Sequence, residues 1–438
     1  MIKHLFFISC IFLNVVTAQT ITTVAGNGNT SFTGDGGQAT SASLLNPNVV
    51  AVDANGNFYI GDGFNYRIRK VDGSGVINTI AGTGSFGSTG DGGPAMLAKF
   101  GSLGGMVTFT TGEIYFSDKS NHKIRMINAG GTITTVAGTG TAGFSGDGAA
   151  ATLAQLNNPG GIAKDALGNI YVADQNNHRI RMITPSGSIT TIAGNGTQGF
   201  AGDGSLAVNA QLNLPSDISI GQGGKIYIAD RGNYRIRMID AGGTITTVAG
   251  TGTAGYSGDG GSATAAQMQP YGIETDAVGN IYSVERFNFR VRIINSSGII
   301  TNFCGTGAFG FSGDGGPATS AQLYNATDIV LKNATEFLIP DVDNNRIRKI
   351  TLPTTGMNSS QWENDEIIAF PNPTADFITL SGVEGSTLFV YNLIGEKIIS
   401  AQPQGDKFII DLSKEAKGIY LIKISKQNKI YYSRVVKE

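Results

Sequence analysis

The chain has 438 residues, of which only 15% are charged, and its formal net charge is −2. Its pI of about 6.0 leaves no basic field that could hold a nucleic acid, so we expect no nucleic-acid partner. A chain of this length can bury a full hydrophobic core without disulfide bonds. Beyond the N-terminus, no segment has the roughly 18 apolar residues of a membrane-spanning helix, so we expect no integral membrane segment.

The N-terminus has the pattern of a secretory signal peptide. A short basic start precedes an apolar stretch that ends at Val16, and small residues predict cleavage after Ala18. Cleavage would leave Cys304 as the sole cysteine, which excludes an intramolecular disulfide. Residues 1–18 are therefore predicted to be removed during export.

A Gly-Asp-Gly triplet recurs six times, at intervals of 56, 56, 56, 56 and 55 residues. A long repeat of such constant length indicates a symmetric assembly of supersecondary units. It also lowers the expectation that any one residue is catalytic, because nearly every polar group occurs six times. The aspartates of the triplets are Asp35, Asp91, Asp147, Asp203, Asp259 and Asp314.

Each unit contains four short runs rich in Ile, Val, Tyr and Thr, separated by Gly, Asn and Asp, which predict four β-strands joined by turns. No run has the 3.6-residue periodicity of an amphipathic helix. The middle strands, such as Ile170–Ala173, are apolar on both faces, as expected for a sheet packed between two others. Four strands in each of six units predict an all-β fold, a six-bladed β-propeller.

The outer strand of the repeat occurs once before the first complete unit. Ile21–Gly26 has the sequence of the outer strands further along the chain, whereas the last unit ends at Leu352 without one. We therefore predict that the N-terminal strand pairs with Arg346–Ile350 and completes the sixth blade. This pairing would close the ring and remove its exposed edges.

Several longer motifs recur in register, including Gly-Phe-Ser-Gly-Asp-Gly at 143–148 and 310–315, Gly-Asn-Ile-Tyr-Val-Ala-Asp at 168–174 and Asn-His-Arg-Ile-Arg at 177–181. Through these motifs the repeat region resembles the NHL-repeat propellers. The resemblance implies that residues 19–352 form one such domain. That family includes scaffolds, protein-binding and RNA-binding domains, and distant lyase and lactonase relatives, so the fold alone does not select a function.

Charged side chains also recur at fixed positions. An acidic residue ends each second strand, and two basic residues follow the next turn. If each blade runs from its inner to its outer strand, these turns and the triplet loops open on the same face. The match of twelve acids with twelve bases predicts a structural role in interblade ion pairs and capped turns. Besides the six triplet aspartates, the recurring positions include Asp62, Asp118, Asp174, Asp230, Glu285 and Asp341, and Arg67, Arg125, Arg179, Arg235, Arg290 and Arg346.

The pattern contains no catalytic or metal-binding constellation. His122 and His178 occupy equivalent positions of neighbouring units, which predicts separate structural roles rather than a shared ion. We expect no cofactor, because a lone Asp among glycines supplies few of the oxygens that Ca²⁺ needs, although the triplet loops leave Ca²⁺ open. Cys304 replaces an outer-strand alanine and is predicted to be a buried thiol. On the inner strands only Glu274 stands out, and one carboxylate does not make a site.

The repeat stops near Pro353, and a polar linker, residues 353–366, leads to a different β pattern. The spacing of short strands in residues 367–438 predicts a small β-sandwich. Its motifs, in chain order, are Phe370-Pro371-Asn372-Pro373, Val390 to Glu396, Gly418-Ile419-Tyr420-Leu421 and Arg434-Val435-Val436-Lys437-Glu438. They resemble the C-terminal sorting domain of type IX secretion, as in Bacteroidota. The resemblance implies translocation by the type IX secretion machinery and removal of the domain by its sortase.

These features predict an exported, non-enzymatic propeller that acts as an interaction module for a protein or glycan ligand, at the cell surface or in the medium. We expect a monomer. The alternative is a cation-dependent lactonase, lyase or carbohydrate-active enzyme with a cation in the central channel. Metal analysis of the purified protein would separate the two.

Overall fold

The computed structural model describes residues 19–353, 368–370, 374, 376–392, 397–415, 418–426 and 429–437. The predicted signal peptide lies outside these residues. The chain divides into two compact units after Leu352. In the described part, helical structure is limited to three-residue 3-10 turns, and no helix is long and apolar enough to cross a membrane.

The first unit contains six antiparallel sheets; five are built from strands that follow one another in the chain, and the sixth also takes the N-terminal strand. β1 (Thr20–Ala25) comes first. Blade 1 has β2 (Pro47–Val52), β3 (Phe58–Asp62), β4 (Arg67–Val71) and β5 (Ile77–Ala81). Blade 2 has β6 (Leu103–Thr108), β7 (Ile114–Asp118), β8 (Lys123–Ile127) and β9 (Ile133–Ala137). Blade 3 has β10 (Ile162–Lys164), β11 (Ile170–Asp174), β12 (Arg179–Ile183) and β13 (Ile189–Ala193).

The remaining blades repeat this order. Blade 4 has β14 (Ser205–Leu206), β15 (Asp217–Ile220), β16 (Ile226–Asp230), β17 (Arg235–Ile239) and β18 (Thr244–Ala249), where the short β14 pairs with the outer β18. Blade 5 has β19 (Gly272–Thr275), β20 (Ile281–Glu285), β21 (Arg290–Ile294) and β22 (Ile300–Cys304). Blade 6 has β23 (Val330–Asn333), β24 (Glu336–Asp341) and β25 (Arg346–Thr351), with β1 as its outer strand.

Two sets of 3-10 turns sit at equivalent places in the blades. One set precedes the inner strands: Ala39–Ser41, Ala95–Leu97, Ala151–Leu153, Ala207–Asn209, Ala263–Ala265 and Ala318–Ser320. The other joins the second and third strands: Gly63–Asn65, Lys119–Asn121, Gln175–Asn177, Arg231–Asn233, Arg286–Asn288 and Val342–Asn344. A further turn, Gln222–Gly224, joins β15 to β16.

Aspartate side chains fix the turns between first and second strands. In blade 1 the Asp53 carboxylate accepts backbone N–H bonds from Asn55 and Asn57, and the Tyr59 hydroxyl donates to the same carboxylate at 3.0 Å. Asp165 and Asp276 make the corresponding bonds in blades 3 and 5. A short polar side chain that satisfies turn N–H groups explains why this turn chemistry could be read from the sequence.

The predicted pairing of the N-terminal strand is confirmed. β1 pairs antiparallel with β25, with Ile21 opposite Ile350. Blade 6 also packs against blade 1, because Val50 shares a buried cluster with Leu338 and Ile347. The first and last blades therefore contact each other as neighbours within the repeat do, and the all-β propeller class is confirmed.

The second unit consists of two sheets. Its strands are β26 (Ile368–Phe370), β27 (Phe377–Ser381), β28 (Thr387–Asn392), β29 (Lys397–Ala401), β30 (Lys407–Asp411), β31 (Gly418–Lys426) and β32 (Lys429–Lys437). One sheet has the order β26-β27-β30 and the other β29-β28-β31-β32. Ile378 and Ile410 of the first sheet share a buried cluster with Val390 and Ile422 of the second. This is the predicted small β-sandwich.

The described residues of the sorting motifs lie in its strands. Phe370 lies in β26, whereas Pro371, Asn372 and Pro373 lie outside the described residues. Gly418 begins β31, Tyr420 and Val435 are buried, and Val436 pairs with Ile419. The buried Lys437 ammonium donates to the carbonyl oxygens of Leu412 and Glu415 and lies 3.1 Å from the Asp376 carboxylate. The terminal motif is therefore part of the packed sandwich.

Candidate functional site

The recurring charges form one buried network in each blade. In blade 1 the guanidinium of Arg69 lies between two carboxylates, 2.7 Å from Asp35 and 3.4 Å from Asp62. The Arg69 and Asp62 side chains are fully buried. Since Asp35 lies in the loop that enters blade 1, the network ties this loop to the sheet. The corresponding arginines are Arg125, Arg181, Arg237, Arg292 and Arg348.

This arrangement differs from the expected match of twelve acids with twelve bases. Of the two basic residues in each unit, the second holds both carboxylates, while Arg67 donates to the carbonyl oxygens of Asn65 and Thr83. Arg67 lies at the start of β4, beside loop carbonyls, and charge counting cannot detect that position. Of the six arginines named from sequence, Arg125 belongs to the carboxylate-binding class, whereas the others bind carbonyl oxygens: Arg67, Arg179, Arg235, Arg290 and Arg346.

An aromatic ring covers the two arginines of a blade. The Arg67 Cζ lies 3.8 Å and the Arg69 Cζ 4.7 Å from the centroid of the Phe32 ring. The same cation–π geometry recurs with Phe144, Phe200, Tyr256 and Phe311. Blade 2 is different, because Ser88 replaces the aromatic residue and Lys123 replaces the first arginine. The joint replacement indicates that the ring and the first arginine act as a pair.

The buried carboxylates of these networks have altered pKa values. Burial raises the pKa of Asp62 to about 6, although the Leu45 N–H, the Asn65 amide and Arg69 all donate to it and lower the pKa. Burial has the same effect at the four equivalent aspartates, and it raises the pKa of Glu285 to about 7. The four are Asp118, Asp174, Asp230 and Asp341.

The triplet loops do not fit Ca²⁺. The Oδ1 atom of Asp35 accepts hydrogen bonds from both Nε and Nη2 of Arg69, and Asp91 also accepts one from the Thr135 hydroxyl. The guanidinium thus supplies the positive charge, and a Ca²⁺ ion would need six to eight oxygen ligands at the same place.

The histidines link blades. Nδ1 of His122 accepts the N–H of Asn158 at 2.9 Å, and Nδ1 of His178 accepts that of Leu214 at 3.1 Å. Each bond runs from one blade to the next, and burial lowers the pKa of both imidazoles. Cys304 is completely buried, which raises the pKa of its thiol to about 12. A thiol in this state is a poor nucleophile.

The inner strands surround a central cavity of about 340 Å³. Three carboxylates line it, since Asp217 and Asp328 join Glu274, the only one recognised from sequence. Burial and the negative charge of Asp328 raise the pKa of Asp217, and burial raises the pKa of Asp328 to about 6 and that of Glu274 to about 7. The sequence did mark these two aspartates. Asp217 and Asp328 occupy the inner-strand position of Val49, which carries Gly in the three other copies.

Backbone donors hold these carboxylates in place. Asp328 accepts the N–H groups of Val50 and Ile329, and Asp217 accepts that of Ile273. In the described part of the chain, no group of three or more His, Cys, Asp or Glu could hold a metal ion. Backbone N–H donors thus already occupy carboxylate oxygens of Asp217 and Asp328.

Close contact between inner strands narrows one side of the channel. Gly161 donates its N–H to Ser216 at 2.8 Å. A Cβ at this glycine would lie 1.7 Å from Oδ1 of Asp217, and one at Gly105 would lie 2.7 Å from the Cα of Gly161. Glycine is required at both positions because neighbouring backbones pack against each other. The inner strands of blades 2, 3 and 4 therefore lie in close backbone contact on this side of the channel.

The sequences of the six copies differ at the end of the channel where the inner strands begin. Tyr271 lies there, and the Cζ atoms of Arg231 and Arg286 are 5.1 and 5.2 Å from its ring centroid. Burial alone would raise the pKa of Tyr271, but the positive charges of Lys119, Arg286 and Arg231 lower it. We call this end the channel mouth. The first residues of the six turns beside it are Gly63, Lys119, Gln175, Arg231, Arg286 and Val342.

Sequence reasoning missed the channel mouth, although a signal existed. Tyr271 is equivalent to Asn48, Gly104, Gly160, Ser216 and Thr327, so this position differs in nearly every copy while its neighbours repeat. Variation at one position of a regular repeat points to contacts made only once. Only the ring, however, places Lys119 of blade 2 beside Tyr271 of blade 5.

The propeller and its C-terminal unit match known families. The family model for the Teneurin NHL domain matches residues 13–89 and 140–199, and that for the NHL repeat matches residues 212–237. The model for the secretion system C-terminal sorting domain matches residues 368–438. The chain therefore carries NHL-type repeats and ends in a C-terminal sorting domain, as its motifs indicated. This domain indicates export by type IX secretion to the cell surface or the medium.

Curated relatives share the repeat region. Teneurin-4 of Mus musculus is 30% identical over 233 residues, which are 47% of this chain and 8% of the relative. Teneurin-1 of Homo sapiens is 30% identical over 249 residues, 49% of this chain and 9% of the relative. The chain thus spans less than a tenth of the length of these relatives.

Solved structures share the fold. A protein of unknown function from Bacteroides thetaiotaomicron aligns with a TM-score of 0.56 at 18% identity, over 76% of each chain. An auxiliary nutrient binding protein from Bacteroides ovatus aligns with a TM-score of 0.55 at 18% identity, also over 76% of each chain. At this identity the likeness establishes the propeller fold alone.

Proposed function

We propose that the propeller is a non-enzymatic binding module that works outside the cell after export by type IX secretion. One observation carries the proposal: at the mouth of the central cavity, the position of Tyr271 and the first residue of the neighbouring turn differ among six otherwise similar copies. A symmetric scaffold needs no such differences for its own packing. A ligand that binds once on the channel axis, in contrast, contacts each blade differently. Its chemical class is a protein or a glycan.

The charges agree with a binding role. The acids and bases that recur six times bind one another or the backbone, so they are not free for a substrate. The channel carboxylates accept backbone and hydroxyl hydrogen bonds, and Cys304 is buried. The solved neighbour described as an auxiliary nutrient binding protein agrees with a binding module of this fold.

A screen of residues 19–438 on protein and glycan arrays tests the proposal; in the experiments below, the mature chain means this chain without its signal peptide and before processing within residues 353–366. We expect retention of a defined ligand class, confirmed by calorimetry with the free ligand, and no turnover of that ligand. A ligand that is retained and then chemically converted would contradict the non-enzymatic role.

The enzymatic alternative rests on the three channel carboxylates. It requires a cation beside Asp217, Glu274 and Asp328, and elemental analysis of the purified mature chain tests for it. Stoichiometric metal that is lost in the Asp217→Asn, Asp328→Asn double variant, with the fold retained, would favour this alternative over the binding module.

Export provides a separate test. Removing residues 367–438 should leave a folded propeller, because its sheets take no strand from the C-terminal unit. Without the sorting domain, we expect this propeller to remain in the periplasm. Fractionation of a host that has type IX secretion, with an antibody to the propeller, measures this. We also expect processing within residues 353–366. Equal export of both chains would show that the C-terminal domain is not the sorting signal.

A further inference from the structure

We propose that the channel mouth binds the anionic group of an acidic saccharide, through Lys119, Arg231 and Arg286 around Tyr271. This inference rests on the proposed binding function and names its ligand class. The anion would be a uronate carboxylate or a sulfate ester, which offer the same negatively charged oxygens to the three cations.

The three cations are available for a ligand. In residues 19–353, none of them lies within ion-pair distance of a carboxylate, unlike the second arginine of every blade. The Nε of Arg286 is buried and has no hydrogen-bond partner, and the Cζ of its guanidinium lies 5.2 Å from the centroid of the Tyr271 ring. A buried donor without a partner is costly, so a ligand oxygen at this point would be favourable. Guanidinium groups also suit paired oxygens of a carboxylate or sulfate.

A carboxylate lies near the mouth without forming an ion pair with these cations. Asp343 lines the same cavity as Arg286, and its carboxylate accepts hydrogen bonds from the side-chain amides of Asn46 and Asn325. The positive charges of Arg231 and Arg286, which both lie beside the Tyr271 ring, repel each other, and an anion between them would relieve that repulsion.

The deeper channel has the opposite character. Asp217, Glu274 and Asp328 line the cavity beyond the mouth, where they would repel an anion but can accept hydrogen bonds from hydroxyl groups. The ligand therefore carries its charge at one end and hydroxyl groups at the other. A cavity of about 340 Å³ suits one or two sugar rings, and the charged ring of the ligand would lie outside it at the mouth.

Two phenylalanines flank the cations. Phe64 and Phe287 are 58% and 48% exposed, and they line the cavities at the mouth with Arg286 and Arg231, respectively. The four other copies have Ser, Asn, Gly or Asp at this position of the turn. Exposed aromatic rings beside charged donors provide flat apolar surfaces, which suit the C–H face of a sugar ring.

Calorimetry with the mature chain tests the inference. The probes are galactotriose with one terminal ring oxidised to galacturonate, galactotriose with one sulfate ester on the same ring, unmodified galactotriose and free glutamate. We expect at least one acidic saccharide to bind at least about tenfold more tightly than galactotriose and glutamate, since a charge-assisted hydrogen bond contributes about 1.5–3 kcal/mol. The tighter of the two acidic probes identifies the anion.

Variants locate the site. Arg286→Gln and Arg231→Gln should each weaken binding of the acidic probe by about tenfold or more. Lys225→Gln is the matched control, because Lys225 is exposed at the opposite end of β16 from Arg231, and it should change nothing. Equal melting temperatures would show that the variants fold.

The outcomes separate this inference from the proposed function. Equal binding of galactotriose or glutamate would overturn the acidic-saccharide assignment, and unchanged affinity in both arginine variants would overturn the location. If neither acidic probe binds while the arrays yield another ligand, the inference fails and the binding module stands. If the arrays also yield nothing, both fail.

Discussion

The buried networks and the channel mouth use the same residue types in opposite ways. In each network an arginine lies between two carboxylates, and six copies repeat the arrangement with nearly constant distances. At the mouth, Arg231 of blade 4 and Arg286 of blade 5 lie beside Tyr271, and within residues 19–353 neither has a carboxylate partner. The equivalent turn position of the other four blades carries Gly, Lys, Gln or Val. In a symmetric protein, repetition therefore marks the groups that hold the fold, and departure from it marks the groups that are free for a ligand.

The closing strand should give the largest effect if it is removed. Deleting residues 19–27 exposes the edge of β25 and removes Ile21, which is completely buried. We expect a loss of more than about 4 kcal/mol of unfolding free energy, because an apolar strand and its ladder are lost together. Thermal unfolding followed by circular dichroism measures it, with the mature chain from Gln19 as control. An unchanged melting temperature would show that the ring does not depend on β1.

Two arginines of blade 4 test the comparison directly. Arg237→Leu leaves the buried carboxylate of Asp230 without its cation and should lower the unfolding free energy by about 3–5 kcal/mol. Arg231→Leu, six positions earlier at the channel mouth, should change it by less than about 0.5 kcal/mol. Urea denaturation of both variants measures the two changes in unfolding free energy. Similar losses in the two would mean that the mouth, too, serves stability.

Acidification should stabilise the propeller. The folded-state pKa of Asp230 is raised from 3.8 to about 6, and its equivalents shift in the same direction. Between these values the folded state binds more protons than the unfolded state, so unfolding free energy rises as pH falls from 7 towards 5. This gain in unfolding free energy is complete near pH 4 and is lost as pH rises through about 6. Melting temperatures at constant ionic strength measure it, and Asp230→Asn should reduce the slope. A stability that falls over this range would contradict the shifts.

The cation–π pairs should give the smallest effect. A double-mutant cycle of Phe200→Ala and Arg235→Lys should yield a coupling of about 0.5–1 kcal/mol, as expected for a partly exposed pair. Blade 2 supplies the control, because Ser88→Ala removes no aromatic ring. Installing the pair there, with Ser88→Phe and Lys123→Arg, should raise stability by a similar amount. A coupling of zero would show that the Phe200 ring does not stabilise Arg235.

The sequence predicted the fold well because its strand and turn signals are local and each recurs in the six copies. The early outer strand at Ile21 was recognised because it has the same sequence as the outer strands further along the chain. The pairing of charges was only partly predictable, since Arg67 and Arg69 look alike in sequence and differ in what surrounds them. The variation at the position of Tyr271 was visible in the sequence, but the channel mouth itself was not, because Lys119 and Tyr271 line one cavity only once the ring is formed. Asp217 was readable as an inner-strand acid, but its proximity to Asp328 depends on the curvature of six sheets.

The pairing of Ile21 with Ile350 has a consequence for the order of assembly. The first strand to emerge during synthesis is the last that can find its place, since β25 is made only after all the other blades. Until then β1 has no native partner, and the sixth blade lacks its outer strand. The last blade can therefore be completed only when the first and last strands of the propeller are both present. Any truncation that removes either strand leaves the ring open.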